Sequence, residues 1–381
     1  MKKYFYGSPS LDTSDFESVV SNLRTGFLSQ GPKLHEFEEE VADYCGAQYC
    51  KAVSNGTAAL HLACLALGLN KGDVGWTSPL SFVASANCIR YCGATVDFID
   101  IDQTTFNITP EKVKEKFELA EKTNSLPKIL VPVHFAGQSC DMKELRDIAE
   151  RYDCKVIEDA CQAFGGVYNS EKIGCCQHSD ITIFSLHPVK SITTGEGGLI
   201  LTNNKDVYEK IKLLSTHGIN RGGDDQAPWS VEMVTEGFNY KITDFQCALG
   251  LNQLKKVDIF IEKRTRLARR YMENLNGLPV CFQNPSKNAV SAWHILVVMI
   301  DFERISRSKI EIFEKMREKN INLTVHYYPI HLHGFYRELG FNEGMFVNAE
   351  EYYKRAFTLP LYPELEIDDV DFICEQLRAL F

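Results

Sequence analysis

Short apolar segments alternate with helical ones between about residue 50 and residue 205, and this alternation most constrains the fold. Five segments have the composition of buried strands: Lys51–Ser54, Thr95–Asp100, Ile129–Val133, Lys155–Asp159 and Ile181–Ser185. Helical patterns lie between them, at Thr57–Leu67, Thr109–Glu121 and Met142–Tyr152. Strands that are apolar on both faces belong inside a parallel sheet that helices cover on both sides. The sequence therefore predicts an α/β fold, doubly wound over about its first 250 residues.

The pattern changes in the last third of the chain. A long helical pattern covers Thr243–Asn276 and is long enough to connect two domains. Beyond it, Ala292–Ile300 is strand-like and Ser308–Lys319 is helical. We therefore expect a large domain with a mostly parallel sheet over residues 1–255 and a smaller α+β domain over residues 256–381.

Charge and composition exclude several classes of protein. A formal net charge of -10 argues against a nucleic-acid binder, which needs clustered Lys and Arg to neutralise phosphates. We find no apolar stretch long enough to span a bilayer and no signal peptide, so we expect a cytoplasmic protein without a membrane partner. The 13 cysteines match no common zinc or disulfide spacing, which indicates free buried thiols and no metal site.

One lysine follows a buried strand in a turn rich in threonine and glycine. Lys190 lies within Ser185–Gly198, directly after the strand Ile181–Ser185. An amine at the end of a buried strand is partly desolvated, so its pKa falls and it can form a Schiff base with a carbonyl cofactor. Taken alone, the segment is explained more simply as a solvated lysine beside an ordinary glycine turn.

Three further features follow predicted strands. Asp159 suits the protonated ring nitrogen of a pyridoxal cofactor, and Gln162 is close enough in sequence to contact the ring. Gly56 and Thr57 open a helix whose N-H groups can bind a phosphate. Phe82 lies just past a strand end, where it can stack on an aromatic cofactor.

Each of these features also has an ordinary structural explanation. Asp159 can be a helix N-cap, Gly56 part of a capped turn, and Phe82 a core residue. Together with Lys190, however, all of them fall at strand ends of one sheet. Open α/β sheets bind ligands at the carboxyl ends of their strands, so the set as a whole favours a cofactor site.

Four segments resemble the DegT family of sugar aminotransferases: Gly56–Leu60, Glu158–Gly165, His187–Gly198 and Gly237–Asp244. The resemblance covers nearly the whole chain and implies the fold type I architecture of aminotransferases that depend on pyridoxal 5'-phosphate. It also implies a homodimer with active sites at the subunit interface. Relatives that dehydrate sugars carry histidine in place of the cofactor lysine, so Lys190 favours transamination. A regulator without catalysis would be expected to lose Lys190 or Asp159, and both are present.

The resemblance also implies roles for individual residues. Lys190 would hold the cofactor as a Schiff base and Asp159 would pair with the pyridine nitrogen. Gln162 stands where the family often has histidine, near the ring hydroxyl. The residues that would hold the cofactor phosphate are Gly56, Thr57, Ser185 and, reaching across the interface, Asn239 of the partner subunit.

Four other segments are similar to the pseudaminic-acid branch of the family: Trp76–Asn87, Tyr91–Phe98, His134–Ser139 and His326–Ile330. That branch converts a UDP-linked 4-keto-6-deoxy-N-acetyl-hexosamine to UDP-4-amino-4,6-dideoxy-N-acetyl-β-L-altrosamine, with L-glutamate as amino donor and 2-oxoglutarate as by-product. By the same resemblance the substrate contacts would be Tyr6, Gly26, Phe27, Leu28, Ser29, His326, Tyr327, Tyr328 and Pro329. Plain packing roles for the aromatic residues among them stay open, as does another nucleotide-linked keto sugar of the perosamine or legionaminic-acid type.

Overall fold

A computed structural model of the protein describes residues 2–221, 229–286 and 288–381. The strands in these ranges are β1 (Tyr49–Val53), β2 (Val74–Thr77), β3 (Thr95–Phe98), β4 (Ile129–Val131), β5 (Lys155–Asp159), β6 (Val167–Tyr168), β7 (Glu171–Lys172), β8 (Ile181–Ser185), β9 (Gly198–Thr202), β10 (Ile219–Arg221), β11 (Val231–Met233), β12 (Val280–Phe282), β13 (Ala289–Val290), β14 (Leu296–Ile300) and β15 (Ala356–Leu359).

The helices in the same ranges are α1 (Thr13–Thr25), α2 (Pro32–Cys45), α3 (Gly56–Ala66), α4 (Ala84–Tyr91), α5 (Pro110–Thr123), α6 (Met142–Arg151), α7 (Lys205–Ser215), α8 (Asp244–Leu254), α9 (Val257–Asn274), α10 (Lys309–Glu318), α11 (Gly334–Glu338), α12 (Val347–Arg355) and α13 (Ile367–Arg378).

A seven-stranded sheet forms the centre of the molecule, in the order β1-β9-β8-β5-β4-β2-β3. Strands β3, β2, β4, β5 and β8 are parallel, while β9 runs antiparallel to both β1 and β8. One face packs on α2 and α5 through buried residues such as Phe37 and Phe117. The other packs on α3 and α4 through Leu60 and Ile89. The predicted doubly wound α/β fold with a mostly parallel sheet is confirmed.

Two strands of the large sheet, β9 and β2, are not among the strands predicted from the sequence. Strand β9 returns beside β8 without a crossover helix, so it is antiparallel. Strand β2 contains Gly75, which weakens a strand pattern. A Cβ atom at Gly75 would lie 2.9 Å from Cδ1 of Ile89, so the glycine permits α4 to pack closely on the sheet.

The long helical pattern of Thr243–Asn276 is two helices rather than one. Helix α8 ends at Leu254 and α9 begins at Val257. Between them, the Lys256 amine forms ion pairs with Asp12 and Asp15 at 2.7 and 2.8 Å. Helix α8 and the first half of α9 pack in the same core against the large sheet, whereas the second half of α9 packs in a separate core.

The C-terminal part of the chain has its own antiparallel sheet, in the order β12-β14-β15. Strand β14 and helix α10 confirm the strand and helix predicted there, and Ser308 caps α10. Tyr4 pairs with Ile321 and packs in the same core, so the start of the chain joins this part of the structure. The division into domains at residue 255 stays a prediction.

No helix among the described residues is long and apolar enough to cross a membrane. Within the same ranges, His, Cys, Asp and Glu side chains form no group suited to a metal ion. All thirteen cysteines are free thiols, and most of them are buried.

Candidate active site

The carboxyl ends of the parallel strands open into a cavity of about 760 Å³. Its wall includes the residues that follow β1, β2, β5 and β8, together with residues of the C-terminal part of the chain. Open α/β sheets bind ligands at this edge. Ten of the residues predicted from the sequence line the cavity: Tyr6, Gly56, Thr57, Phe82, Asp159, Gln162, Ser185, Lys190, His326 and Tyr327.

The Lys190 side chain ends inside this cavity. The turn after β8 holds its backbone, because the Lys190 N-H donates to the His187 carbonyl at 2.9 Å. Burial lowers the pKa of the Lys190 amine, although the nearby Cys161 and Asp159 partly offset this effect. A lowered pKa increases the neutral, nucleophilic fraction of the amine at neutral pH.

A fixed carboxylate stands at the end of β5. Asp159 is only 6% exposed, and its Oδ1 accepts a hydrogen bond from the Cys161 N-H at 3.2 Å. Its Oδ2 accepts a 2.5 Å hydrogen bond from the Ser85 hydroxyl on α4. Because that hydroxyl has one proton, the 2.6 Å contact between Ser85 and Ser81 must use the Ser81 proton. The turn after β5 and helix α4 therefore orient the Asp159 carboxylate together.

Helix α3 points its N-terminus at the cavity. Asn55 caps the helix by accepting a hydrogen bond from the Ala58 N-H at 2.8 Å. A Cβ atom at Gly56 would lie 3.0 Å from Cβ of Ser185 and 3.3 Å from Sγ of Cys161. Glycine therefore keeps the approach to the first N-H groups of the helix open, which is what an anion needs at a helix N-terminus.

Gln162 and Tyr327 are joined across the cavity. The Gln162 side chain accepts a hydrogen bond from the Ala136 N-H at 2.7 Å and donates one to the Tyr327 hydroxyl at 3.1 Å. Burial raises the pKa of Tyr327, which keeps this phenol neutral. Phe82 lies at the rim: its side chain is 57% exposed, and its ring centre is 6.2 Å from that of Tyr327.

The C-terminal part of the chain contributes His326 to the cavity wall. Nδ1 of His326 lies 2.9 Å from Oγ1 of Thr358, and its ring packs edge-on to Tyr6 with centres 4.7 Å apart. Burial lowers the pKa of His326 to about 4. This imidazole is therefore neutral at neutral pH, and a hydrogen bond to an uncharged group suits it better than an ion pair.

Seven predicted residues do not line this cavity: Gly26, Phe27, Leu28, Ser29, Asn239, Tyr328 and Pro329. The segment of residues 26–29 is exposed on the surface, where Ser29 pairs with Thr243. Asn239 pairs with Thr216. Tyr328 instead donates to the Leu332 carbonyl at 3.2 Å. Ligand contacts for these seven residues stay predictions.

Sequence reasoning missed two residues that contact the proposed cofactor residues. Ser85 lies inside a segment that the family resemblance had singled out, but its bond to Asp159 depends on how α4 packs. His294 approaches the Lys190 amine from just before β14. A histidine next to an apolar strand was the only available signal, and such a residue is ordinarily a core histidine.

Comparison with known proteins identifies the family. The family model described as the DegT/DnrJ/EryC1/StrS aminotransferase family matches residues 9–378. The chain belongs to this family. Aminotransferases of the family depend on pyridoxal phosphate, so the protein is a sugar aminotransferase with that cofactor.

Relatives with more specific names are similar over nearly the whole chain. The spore coat polysaccharide biosynthesis protein SpsC of Bacillus subtilis is 37% identical, over 98% of this chain and 96% of the relative. The UDP-4-amino-4,6-dideoxy-N-acetyl-beta-L-altrosamine transaminase of Campylobacter jejuni is 36% identical with the same coverage. Among solved structures, Helicobacter pylori PseC, an aminotransferase involved in the biosynthesis of pseudoaminic acid, has a TM-score of 0.91 and 28% identity. That match covers 100% of this chain and 99% of PseC.

The cavity fits the cofactor of the family. It offers a buried amine for the aldehyde, a fixed carboxylate for the ring nitrogen, and a glycine-opened helix N-terminus for the phosphate. These groups come from three separate strand ends but face one space.

Proposed function

We propose that this aminotransferase moves an amino group from L-glutamate to C4 of a UDP-linked 4-keto-6-deoxy-N-acetyl-hexosamine. The product is UDP-4-amino-4,6-dideoxy-N-acetyl-β-L-altrosamine, an intermediate of pseudaminic acid biosynthesis. The observation that carries the transamination chemistry is the buried Lys190 amine in one cavity with the fixed Asp159 carboxylate. The Campylobacter jejuni relative and the Helicobacter pylori structure support the sugar substrate.

Three side chains serve the reacting part of the cofactor. When bound, pyridoxal phosphate supplies an aldehyde and an electron-withdrawing ring. Lys190 would supply the amine for that aldehyde and, when its amine is free, would take up and release a proton at Nζ as a general acid and base. Asp159 would keep the ring nitrogen protonated, and Gln162 would contact the ring.

A second group positions the cofactor without taking part in proton transfer. Gly56, Thr57 and Ser185 hold the phosphate at the N-terminus of α3. Phe82 covers the open face of the ring from the rim of the cavity. The exposure of Phe82 supports this role, because a bound ring would bury an aromatic side chain that now faces solvent.

The sugar binds at the end of the cavity formed by the C-terminal part of the chain. Tyr6, His326 and Tyr327 stand there, and the neutral His326 suits sugar hydroxyl or acetamido groups. The proposed contacts also include Tyr328, Pro329 and the segment Gly26–Ser29.

The active unit is a homodimer with shared sites. In support, Phe27, Leu28, Trp229 and Met233 are large apolar side chains that are exposed in one subunit. Surfaces of this kind mark protein interfaces, and a second copy of the chain is the commonest partner. In such a dimer Asn239 of the partner subunit would reach the cofactor phosphate, although Asn239 does not line the cavity of its own subunit.

The deciding experiment supplies purified protein with pyridoxal phosphate, L-glutamate and the UDP-linked 4-keto sugar of β-L-arabino configuration, and follows the aminosugar by mass spectrometry. The D-xylo isomer is assayed beside it, with the Lys190→Ala variant as blank. We expect product from the L-arabino sugar alone. Turnover of only the D-xylo isomer would keep the aminotransferase but reject this substrate. The similarity to SpsC, whose name places it in spore coat polysaccharide biosynthesis, is the observation that keeps another nucleotide-linked keto sugar as the alternative.

A further inference from the structure

His294 is far from Lys190 in the sequence but contacts its amine in the folded chain. Its Nε2 lies 3.4 Å from Nζ of Lys190, across a sequence separation of 104 residues. The imidazole is only 3% exposed and lines the cavity. Within the described ranges, His294 is the hydrogen-bond partner of the Lys190 amine. The proposed reaction has so far given this side chain no role.

The backbone around His294 is fixed from three sides. Its N-H donates to the Ala136 carbonyl at 3.1 Å, and its carbonyl accepts a 3.0 Å hydrogen bond from the buried Arg264 guanidinium. Gly137 packs so closely that a Cβ atom there would lie 3.0 Å from the His294 nitrogen. A residue held in this way presents its ring to Lys190 in one position.

The charge state of the ring suits an acceptor. Burial, together with the charges of Lys190 and Arg264, lowers the pKa of His294 well below its ordinary value, so the ring is neutral. In the described part of the chain, Nδ1 is buried without a hydrogen-bond partner. A neutral imidazole with its proton on Nδ1 leaves Nε2 free to accept a hydrogen bond from an N-H of the Lys190 amine.

We propose that His294 is a positioning residue for Lys190: its Nε2 accepts a hydrogen bond from the amine and stabilises the ammonium form that arises when Lys190 takes up a proton. When the C-H bond of the donor carbon breaks, its electron pair stays with that carbon and its proton goes to the lysine -NH2, which becomes -NH3+. One of the three N-H bonds then points to Nε2, and the ammonium gives up a proton again to become -NH2. His294 itself stays neutral throughout. The inference rests on the proposed role of Lys190.

The hydrogen bond should tune the protonation of Lys190. A hydrogen bond to a charged donor is roughly twice as strong as one to a neutral donor, so His294 favours the ammonium over the amine. The titratable groups that face this pair are Asp159, Cys161, His187, His326 and Arg264. These groups are retained in every His294 variant, so the comparison among variants isolates the contribution of the residue 294 side chain.

The test measures how fast the cofactor-free protein captures pyridoxal phosphate covalently at a series of pH values. Only the neutral amine reacts, so the midpoint of this profile follows the pKa of Lys190. His294→Leu and His294→Met remove the acceptor, and we expect the midpoint to fall by about one pH unit or more. His294→Gln keeps an acceptor of similar size and should hold the midpoint close to that of the wild type. Thermal melting of each protein checks that the variant is folded.

Two contrary results have different meanings. Equal midpoints for the wild type and both apolar variants would overturn the role of His294 while leaving the proposed function intact. A wild-type protein that captures no cofactor covalently at any pH would instead contradict the assignment of Lys190, and the inference would fall with it. Two apolar variants of different shape are used so that misfolding of one does not end the test.

Discussion

The hydroxyl of Ser85 donates a 2.5 Å hydrogen bond to Oδ2 of Asp159, and both side chains are buried. This bond orients the carboxylate before any cofactor binds. We predict that Ser85→Ala weakens the binding of pyridoxal phosphate roughly tenfold, because one buried hydrogen bond to a charged group contributes about 1.5 kcal/mol or more. Titration of the cofactor-free protein with pyridoxal phosphate, followed by fluorescence, measures the dissociation constant.

Ser81 provides the matched control for this variant. In the described part of the chain, the Ser81 hydroxyl forms a hydrogen bond with Ser85 and none with Asp159. Ser81→Ala should therefore change cofactor affinity much less than Ser85→Ala. If the two substitutions weakened binding equally, the orientation of Asp159 by Ser85 would not be the cause.

Replacement of the proposed cofactor lysine should abolish covalent attachment. We predict that Lys190→Ala loses both aminosugar formation and the absorbance of covalently bound cofactor, because no other amine lines the described cavity. Borohydride reduction followed by mass spectrometry locates the attachment. Lys205→Ala, at an exposed position on α7, is the control and should behave as the wild type. Retained covalent absorbance in Lys190→Ala would reject this lysine.

Cofactor binding should require a residue as small as glycine at position 56, the start of α3. We predict that Gly56→Ala lowers cofactor affinity, because the new methyl group would meet Ser185 and Cys161 where the phosphate approaches. Gly334→Ala is the matched control, since a Cβ atom there meets nothing within 4 Å. Both variants are titrated with pyridoxal phosphate and melted. Equal cofactor affinities of the Gly56→Ala and Gly334→Ala variants would contradict a phosphate-binding site at Gly56.

The sequence was most informative where a local pattern determines structure. Buried parallel strands are apolar throughout, so β5 and β8 could be predicted with both ends, and with them the edge that carries Lys190 and Asp159. Strand β4 begins at Ile129 as predicted but ends at Val131, two residues before the predicted end. Family motifs added residue roles that no periodicity contains.

The remaining features depend on packing between distant segments. Gly75 interrupts the apolar pattern that would predict β2. A glycine is needed there because α4 packs closely on the strand, and this contact exists only in the folded chain. The break between α8 and α9 contains no helix-breaking residue, and Lys256 there forms ion pairs with Asp12 and Asp15, more than 200 residues earlier in the chain. His294 reaches Lys190 across 104 residues, and no motif joins the two.

Shared sites in a dimer can be tested by mixing inactive variants. We predict that Lys190→Ala and Asn239→Ala subunits, unfolded and refolded together, recover about a quarter of wild-type activity, because half of the dimers would then contain one intact site. Each variant alone should be far less active. The control mixes Lys190→Ala with Asp159→Asn, whose changes both lie in the cavity of their own subunit, so every site stays damaged. Recovery in the control mixture, or in neither mixture, would contradict a site completed by Asn239 of the partner subunit.

A buried carboxylate beneath the cavity should make stability depend on pH. Glu158 accepts hydrogen bonds from Ser179 at 2.5 Å and Thr182 at 3.0 Å, and its other oxygen lies 2.8 Å from Nε2 of His134. Because Nδ1 of His134 accepts the Cys140 N-H at 3.3 Å, the ring proton is on Nε2 and is donated to Glu158. Burial alone would raise the pKa of Glu158, but His134 and the two hydroxyls outweigh it and lower that pKa.

The sign of the pH effect follows from this lowered pKa. The unfolded chain binds a proton at Glu158 at higher pH than the folded chain does, so the stabilisation is complete above the ordinary glutamate pKa. It is lost as the pH falls from there through the pKa of the folded state. We predict that Glu158→Gln lowers the free energy of unfolding by about 1–3 kcal/mol at pH 7 and by clearly less at acidic pH. Denaturant titrations at both pH values measure this, with the exposed Glu318→Gln as control. A deficit of the same size at both pH values would mean that Glu158 stabilises the fold by packing rather than by its charge.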